Sequence, residues 1–254
     1  MRKRKYTENN DFSDLNVFTE DIDLYLENIT DNDIPPAEVH NLVGTCRIWS
    51  SVLPLDLQHV SMLLPNTHYD KQKFAAITLR LHSPVCTVLL FTSGKLVLTG
   101  SKTFTECVFA CHRILQILRM GTPGVSFMLM ESNIQNIVGN VNLRLPENSR
   151  INLDALHEEH GVFCTYQKNM FPGLIFRPLN SPVVLLIFTS GKIVLTGAKS
   201  CRLMRQGWKD LWPLVSKYII KDSDATAAES LTAPPTDEVM DADMRFIEEI
   251  TTES

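Results

Sequence analysis

Residues 91–100 read FTSGKLVLTG and residues 188–197 read FTSGKIVLTG. Nine of the ten positions agree, at an offset of 97 residues. A decapeptide recurring within a chain of 254 residues marks internal duplication, which constrains the fold more than any other feature of the sequence. The length suits either one large domain or two small ones.

Each copy reads as a β-hairpin. Residues 85–91 are an expected strand, residues 95–99 another, and Thr92-Ser93-Gly94 the turn between them. The first repeat adds expected strands at 37–48 and 74–81 and helices at 55–64 and 103–119. In the second helix Phe104, Cys107, Val108, Cys111, Leu115 and Leu118 recur at three- and four-residue spacing, and Gly121 is the expected stop. The second repeat follows the same order. A strand holds Asn136, a short helix spans 153–160, strands lie at 171–176, 183–188 and 192–196, and a helix covers 200–219, which Pro213 must kink or divide. Two helices per repeat can cover only one sheet face. Yet Val85, Leu89 and Phe91 are apolar on one face of their strand, and Cys86, Val88 and Leu90 on the other. An antiparallel sheet normally turns a polar face to water, so this second apolar face calls for a cover: more helices, another copy of the chain, or a ligand.

Charge is unevenly spread. Residues 1–35 carry four Lys/Arg against nine Asp/Glu, and residues 222–254 carry one against ten. Residues 36–221 carry nineteen against ten. A basic centre between acidic ends favours an anionic partner for the centre. Residues 1–35 are expected to be a largely disordered acidic tail, amphipathic over 11–34, with a basic cluster at 1–5 that suits a nuclear address. Residues 222–254 are expected to be a second disordered acidic tail. The six cysteines form no C-x-x-C pair and read as buried, reduced thiols. No stretch approaches the roughly 20 apolar residues of a membrane span, so no membrane partner is expected.

The motifs HNLVG and QNIVG, KFAAITLR and MFPGLIFR, and the two extended hairpin sequences occur in one order, twice. In these the chain resembles the TATA-box-binding protein family over about residues 37–221. The resemblance implies an α+β saddle. Two pseudo-symmetric repeats, expected at 36–128 and 129–221, share one curved antiparallel sheet with helices on the convex face. It implies binding of A·T-rich promoter DNA in the minor groove and nucleation of a preinitiation complex in the nucleus. This family is itself the type example of a protein that kinks DNA with apolar wedges, by about 80°. The wedges fall on Phe74, Phe91, Phe171 and Phe188, each pair 17 residues apart. The minor-groove set falls on Asn41, Asn136, Val43, Val138, Leu89, Leu186, Val97, Val194, Thr99 and Thr196. Phosphate contacts fall on Arg80, Arg177, Ser93, Ser190, Lys95, Lys192, Lys102 and Lys199.

The chain also departs from the family. Before Phe171 the family has Tyr-Glu-Pro-Glu-Leu; residues 166–170 here read Tyr-Gln-Lys-Asn-Met. General transcription factor IIB is expected on that segment, here Gln167, Asn169 and Met170. Factor IIA is expected on the helix at 103–119, where His112, Arg113 and Arg119 are the basic residues. TBP-associated factors are further expected partners. Residues 144–150 lengthen the second repeat. The reading is therefore a divergent member, or a TBP-related factor. The alternative is a protein-interaction module or autoinhibited regulator with little DNA binding, its basic face occupied by an acidic segment. Catalysis is not expected, nor a cofactor or metal site. In His157-Glu158-Glu159-His160 the histidines are three apart, whereas a zinc-protease helix needs them four apart.

Overall fold

The computed structural model describes residues 34–221. The 1–5 cluster and the acidic tails, but for Ile34 and Pro35, lie outside these residues. The first repeat comprises β1 (Glu38–Ser50), α1 (Leu57–Leu63), β2 (Thr67–His68), β3 (Ala76–His82), β4 (Val85–Phe91), β5 (Lys95–Ser101) and α2 (Phe104–Gly121). The second comprises β6 (Phe127–Asn142), β7 (Ser149–Ile151), α3 (Leu153–His160), β8 (Cys164–Thr165), β9 (Leu174–Phe176), β10 (Val184–Ile187), β11 (Lys192–Ala198), α4 (Cys201–Val215) and β12 (Ile219–Lys221).

Ten strands form one curved antiparallel sheet in the order β2-β3-β4-β5-β1-β6-β11-β10-β9-β8. The order reads as its own mirror across the β1–β6 seam. At that seam Leu42 pairs with Ile137, flanked reciprocally by Asn41 with Val138 and Val43 with Asn136. A pseudo-twofold axis therefore runs through the Leu42–Ile137 pair. The 128/129 division lies inside β6, whose Phe127–Glu131 end pairs with the Arg47–Ser50 end of β1.

All four helices lie on one face, and a single core extends beneath them through both repeats, including Leu42, Leu96, Leu118, Ile137, Leu185 and Trp208. The α2 helix starts at a reciprocal cap. Thr103 Oγ1 accepts from the Glu106 N–H at 3.1 Å, and the Glu106 carboxylate accepts from the Thr103 N–H at 3.2 Å. It outruns the expected 103–119 because the Thr122 N–H and Oγ1 both donate to the Leu118 carbonyl, closing one further turn. The last helix is shorter than expected. Pro213 is accommodated in the final turn of α4, and the chain then passes through one 3-10 turn into β12. This strand pairs with β7, so the additional residues at 144–150 lead into a small second sheet that the sequence pattern did not reveal.

Five of the six cysteines are buried, and Cys164 is partly buried. Cys46 Sγ on β1 and Cys111 Sγ on α2 lie 3.4 Å apart. Burial pushes the thiols of Cys86 and Cys164 up to about 11 and that of Cys107 up to about 12. A raised thiol pKa leaves little thiolate at neutral pH, and thiolate is the reactive form. A thiol-exchange reagent at pH 8 should therefore label at most Cys164 within minutes, the others reacting only after denaturation. Rapid labelling of all six in the native protein would contradict this packing.

Candidate nucleic-acid interface

The sheet face opposite the helices is set by strand parity. In β4, Cys86, Val88 and Leu90 enter the core while Thr87, Leu89 and Phe91 face away. In β5, Leu96 and Leu98 enter the core while Val97 and Thr99 face away. The second repeat divides β10 and β11 in the same way. There Val138, Leu186, Phe188 and Val194 form a separate apolar cluster with Phe171, Ile175 and Val184 packed against it. Hence the asparagine, threonine, valine and leucine positions named from the sequence converge on this one open face. Alternation also brings Thr45, Thr78, Thr87, Asn133, Asn140, Ile175 and Val184 to it, and motif matching missed them. Of these, counting every second residue from Asn41 and Asn136 along β1 and β6 finds only Thr45 and Asn140; a bulge shifts Asn133 out of that count, and the others need the same count on their own strands. Among the described residues Asn140 Oδ1 is buried without a hydrogen-bond partner.

At the centre two amides are held in equivalent cages. Asn41 Oδ1 accepts from the Gly100 N–H at 2.7 Å, and Asn41 Nδ2 donates to Thr99 Oγ1 at 3.1 Å. Asn136 Oδ1 accepts from the Gly197 N–H at 2.8 Å, and Asn136 Nδ2 donates to Thr196 Oγ1 at 2.9 Å. A backbone N–H can meet only the oxygen of an amide, so both orientations are determined, with each NH2 directed at a threonine. The two glycines make this geometry accessible, with φ of 98° at Gly100 and 91° at Gly197. Both asparagines are buried, and these bonds offset the cost of desolvating the amides.

Each end carries a phenylalanine pair. Phe91 and Phe188 open four-residue turns in which Gly94 and Gly191 donate back to their carbonyls, each at 3.0 Å. Phe74 and Phe171 sit just before β3 and β9, not within strands as expected. Their N–H groups close turns onto the Asp70 and Gln167 carbonyls, at 2.9 and 3.0 Å. The rings meet edge to face, with centroids 6.2 Å apart for Phe74–Phe91 and 5.8 Å for Phe171–Phe188. The tighter second pair has a local cause. Gly173 stands where the first repeat has Ala76, and a Cβ at Gly173 would lie 2.7 Å from the Phe171 ring and 3.0 Å from the Phe188 ring. In the first pair Phe74 is 47% exposed and Phe91 partly buried; in the second Phe171 is partly buried and Phe188 only 4% exposed.

Arg80, Arg177, Ser93, Ser190, Lys95, Lys102 and Lys199 are exposed and Lys192 partly buried, around the edges of this apolar floor. The expected partner residues lie elsewhere. Gln167, Asn169 and Met170 are exposed in the turn before Phe171. Beside them Lys168 Nζ bonds the Asp154 carboxylate at 2.8 Å and stands over the Tyr166 ring. On α2, Arg113 bonds Gln116 at 2.7 Å, and Arg119 bonds the Phe127 carbonyl at 2.6 Å, tying that helix to β6. The His157–His160 segment is engaged in packing. Glu159 accepts from the Tyr218 hydroxyl at 2.6 Å, and His160 lies edge-on to Phe176 and Tyr218.

This duplicated sheet has counterparts among known proteins. The family described as transcription factor TFIID, or TATA-binding protein, matches residues 36–120 and 131–218. This chain belongs to the TATA-binding protein family. It is 38% identical over 186 residues to the TATA-box-binding protein of Tetrahymena thermophila, covering 73% of this chain and 72% of that one. The TATA-box-binding protein of Saccharomyces cerevisiae is 38% identical over 180 residues, covering 71% of each chain. A TBP-related factor of Drosophila melanogaster is 40% identical over 163 residues, covering 64% of this chain and 68% of that one. The solved TBP of Methanococcus jannaschii superposes with a TM-score of 0.62 at 32% identity, over 72% of this chain and 99% of that one. The TBP saddle is thus the fold, as the sequence motifs implied.

Three substitutions should separate the roles of these glycines. Gly197→Ala forces an unfavourable φ and brings a Cβ to 2.3 Å from the Pro182 carbonyl oxygen. It should cost about 1–3 kcal/mol in urea denaturation. Gly100→Ala, whose nearest contact would be 3.7 Å, should cost less. Gly173→Ala should overpack the Phe171–Phe188 pair and cost about 1–3 kcal/mol. Unchanged midpoints would contradict the geometry described.

Proposed function

We propose that this chain is a transcription initiation factor that binds TATA-like promoter DNA in the minor groove and bends it by phenylalanine insertion. The observation carrying this reading is the duplicated open face, with the Asn–Thr–Gly cages at its centre and an edge-to-face phenylalanine pair at each end. The minor groove of an A·T pair offers only acceptors, adenine N3 and thymine O2. Asparagine amides whose oxygens are already committed to glycine N–H groups present donors to such a surface. The apolar floor of Val43, Leu89, Val97, Val138, Leu186 and Val194 suits a groove free of the guanine amino group. A phenylalanine ring seated at an opened base step replaces lost stacking, offsetting a cost of about a few kcal/mol per step. Arg80, Arg177, Lys95, Lys192, Lys102 and Lys199 supply the electrostatic part, with Ser93 and Ser190 donating to phosphates.

The related proteins are transcription factors, not enzymes, and their function implies general transcription factors as partners and a nuclear location. Factor IIA on α2, factor IIB on the turn at 167–170, and TBP-associated factors are the specific candidates. At that turn the family's two glutamates are absent. A partner there would meet the polar and apolar side chains of Gln167, Asn169 and Met170 beside the exposed Lys168–Asp154 pair.

Fluorescence transfer across a labelled TATA duplex tests the bending. The double variant Phe91→Ala, Phe188→Ala should abolish it; unchanged bending would sink the insertion mechanism. Affinity should fall with salt, with a log–log slope no steeper than about −5 for six phosphate-facing cations. Lys192→Ala should reduce that slope by about one, without changing preference for TATA over mutated sequence.

A further inference from the structure

The two repeats place different side chains at one matched position of the open face. In the first repeat a row of cross-strand partners runs Thr45, Val97 and Leu89 over β1, β5 and β4. In the second the corresponding row runs Asn140, Val194 and Leu186 over β6, β11 and β10. The duplication therefore sets Asn140 where the other half has Thr45.

These two side chains differ in what they already hold. Thr45 Oγ1 accepts from Gln135 Nε2 at 2.7 Å and keeps its own proton to donate. Asn140 Oδ1 is buried with no hydrogen-bond partner among the described residues. The oxygens of Asn41 and Asn136 are held by the Gly100 and Gly197 N–H groups, at 2.7 and 2.8 Å, and no such bond fixes the Asn140 amide. The last torsion of an asparagine is broad and roughly twofold, so this amide can turn either its NH2 or its oxygen to the open face. An unmet buried oxygen costs free energy that an incoming donor recovers.

A second acceptor stands beside it. Glu38 lies directly opposite Asn140 across the β1–β6 pairing, and directly opposite residues share a face. Glu38 is exposed, and an ionised carboxylate accepts hydrogen bonds without donating any. At the matched place in the first repeat Thr45 lies opposite Asn133. A carboxylate offers nothing to phosphates; it suits a donor within the groove.

In the minor groove A·T pairs show only acceptors, and the guanine N2 amino group is the one donor that G·C adds. The apolar floor of Val138, Leu186 and Val194 gives that amino group no partner. We propose that Asn140, with Glu38 beside it, accepts a hydrogen bond from guanine N2, so that the second repeat admits a G·C pair at one step where the first repeat rejects it. This specificity rests on the DNA-binding reading of the open face. On an A·T pair the same amide turns its NH2 outward and donates, so Asn140 serves either pair. The caged Asn41 and Asn136 serve A·T alone.

Binding to a self-complementary TATATATA duplex tests the assignment. Each base pair is replaced in turn by G·C and by inosine·cytosine, which lacks only the N2 amino group. The protein can take either orientation on such a duplex, so a single guanine can always be placed under Asn140. At one pair the native chain should bind the G·C and inosine·cytosine duplexes with Kd values within about threefold of each other, a difference smaller than one hydrogen bond. Substituting that pair and its symmetry mate together forces the second guanine under Thr45, and the ratio should rise to about tenfold, the worth of one unmade bond. Asn140→Leu should bring the single-substitution ratio up to about tenfold as well, and a ratio is independent of the fraction of variant that folds. A native ratio of about tenfold at every pair would overturn the proposal, as would a native ratio that is no higher for the double substitution than for the single one. An Asn140→Leu ratio equal to that of the native chain would do the same, and each of these results leaves TATA binding in place. Absence of any native preference for the TATA duplex over a mutated one would overturn the DNA-binding reading, and this assignment with it.

Discussion

The pairing of Leu42 with Ile137 is the contact on which the rest of this molecule depends. Because both residues are fully buried, β1 and β6 cannot slip by one residue without turning core side chains to the open face. That register sets Asn41 opposite Val138 and Asn136 opposite Val43, so two cages built 95 residues apart in sequence become neighbours across an axis. Everything outward from the seam is then duplicated, including the hairpins and the phenylalanine pairs at their ends. A continuous sheet and a shared core follow from one pair of strands.

The two repeats nevertheless differ in ways that small residues decide. Gly173 in place of Ala76 lets one aromatic pair close up, while the other remains open to solvent. The additional chain at 144–150 leads into β7, which finds β12 and gives the second repeat a sheet that the first lacks. Lys168 pairs with Asp154 at the surface, beside the turn that carries Gln167, Asn169 and Met170. A symmetric open face thus coexists with asymmetric flanks.

Much of the interface was legible in the sequence. A two-residue period assigns Leu89, Phe91, Val97 and Thr99 to one face, and the repeat transfers that assignment to Leu186, Phe188, Val194 and Thr196. Open-face residues just outside the repeated motifs, such as Thr45 and Asn140, were missed, as was Ile175 within one, although the two-residue period reaches them. Phe74 and Phe171 were read as strand residues because an apolar run follows each. Backbone turns onto Asp70 and Gln167 hold them just outside the strands instead, and turns that depend on a single carbonyl acceptor leave little trace in a hydrophobic pattern.

The sequence by itself determined that there are two alike units, that each contains the same hairpin, and which side chains share a face. These follow from local periodicity and from a repeat that needs no coordinates to see. Only the tertiary structure decided that Asn41 and Asn136 are locked by Gly100 and Gly197, that the two aromatic pairs differ in depth, and that Arg119 and Lys168 are engaged within the chain. Each of these depends on where atoms from separate elements come to rest, and packing at that level turns on single methyl groups and single hydrogen bonds.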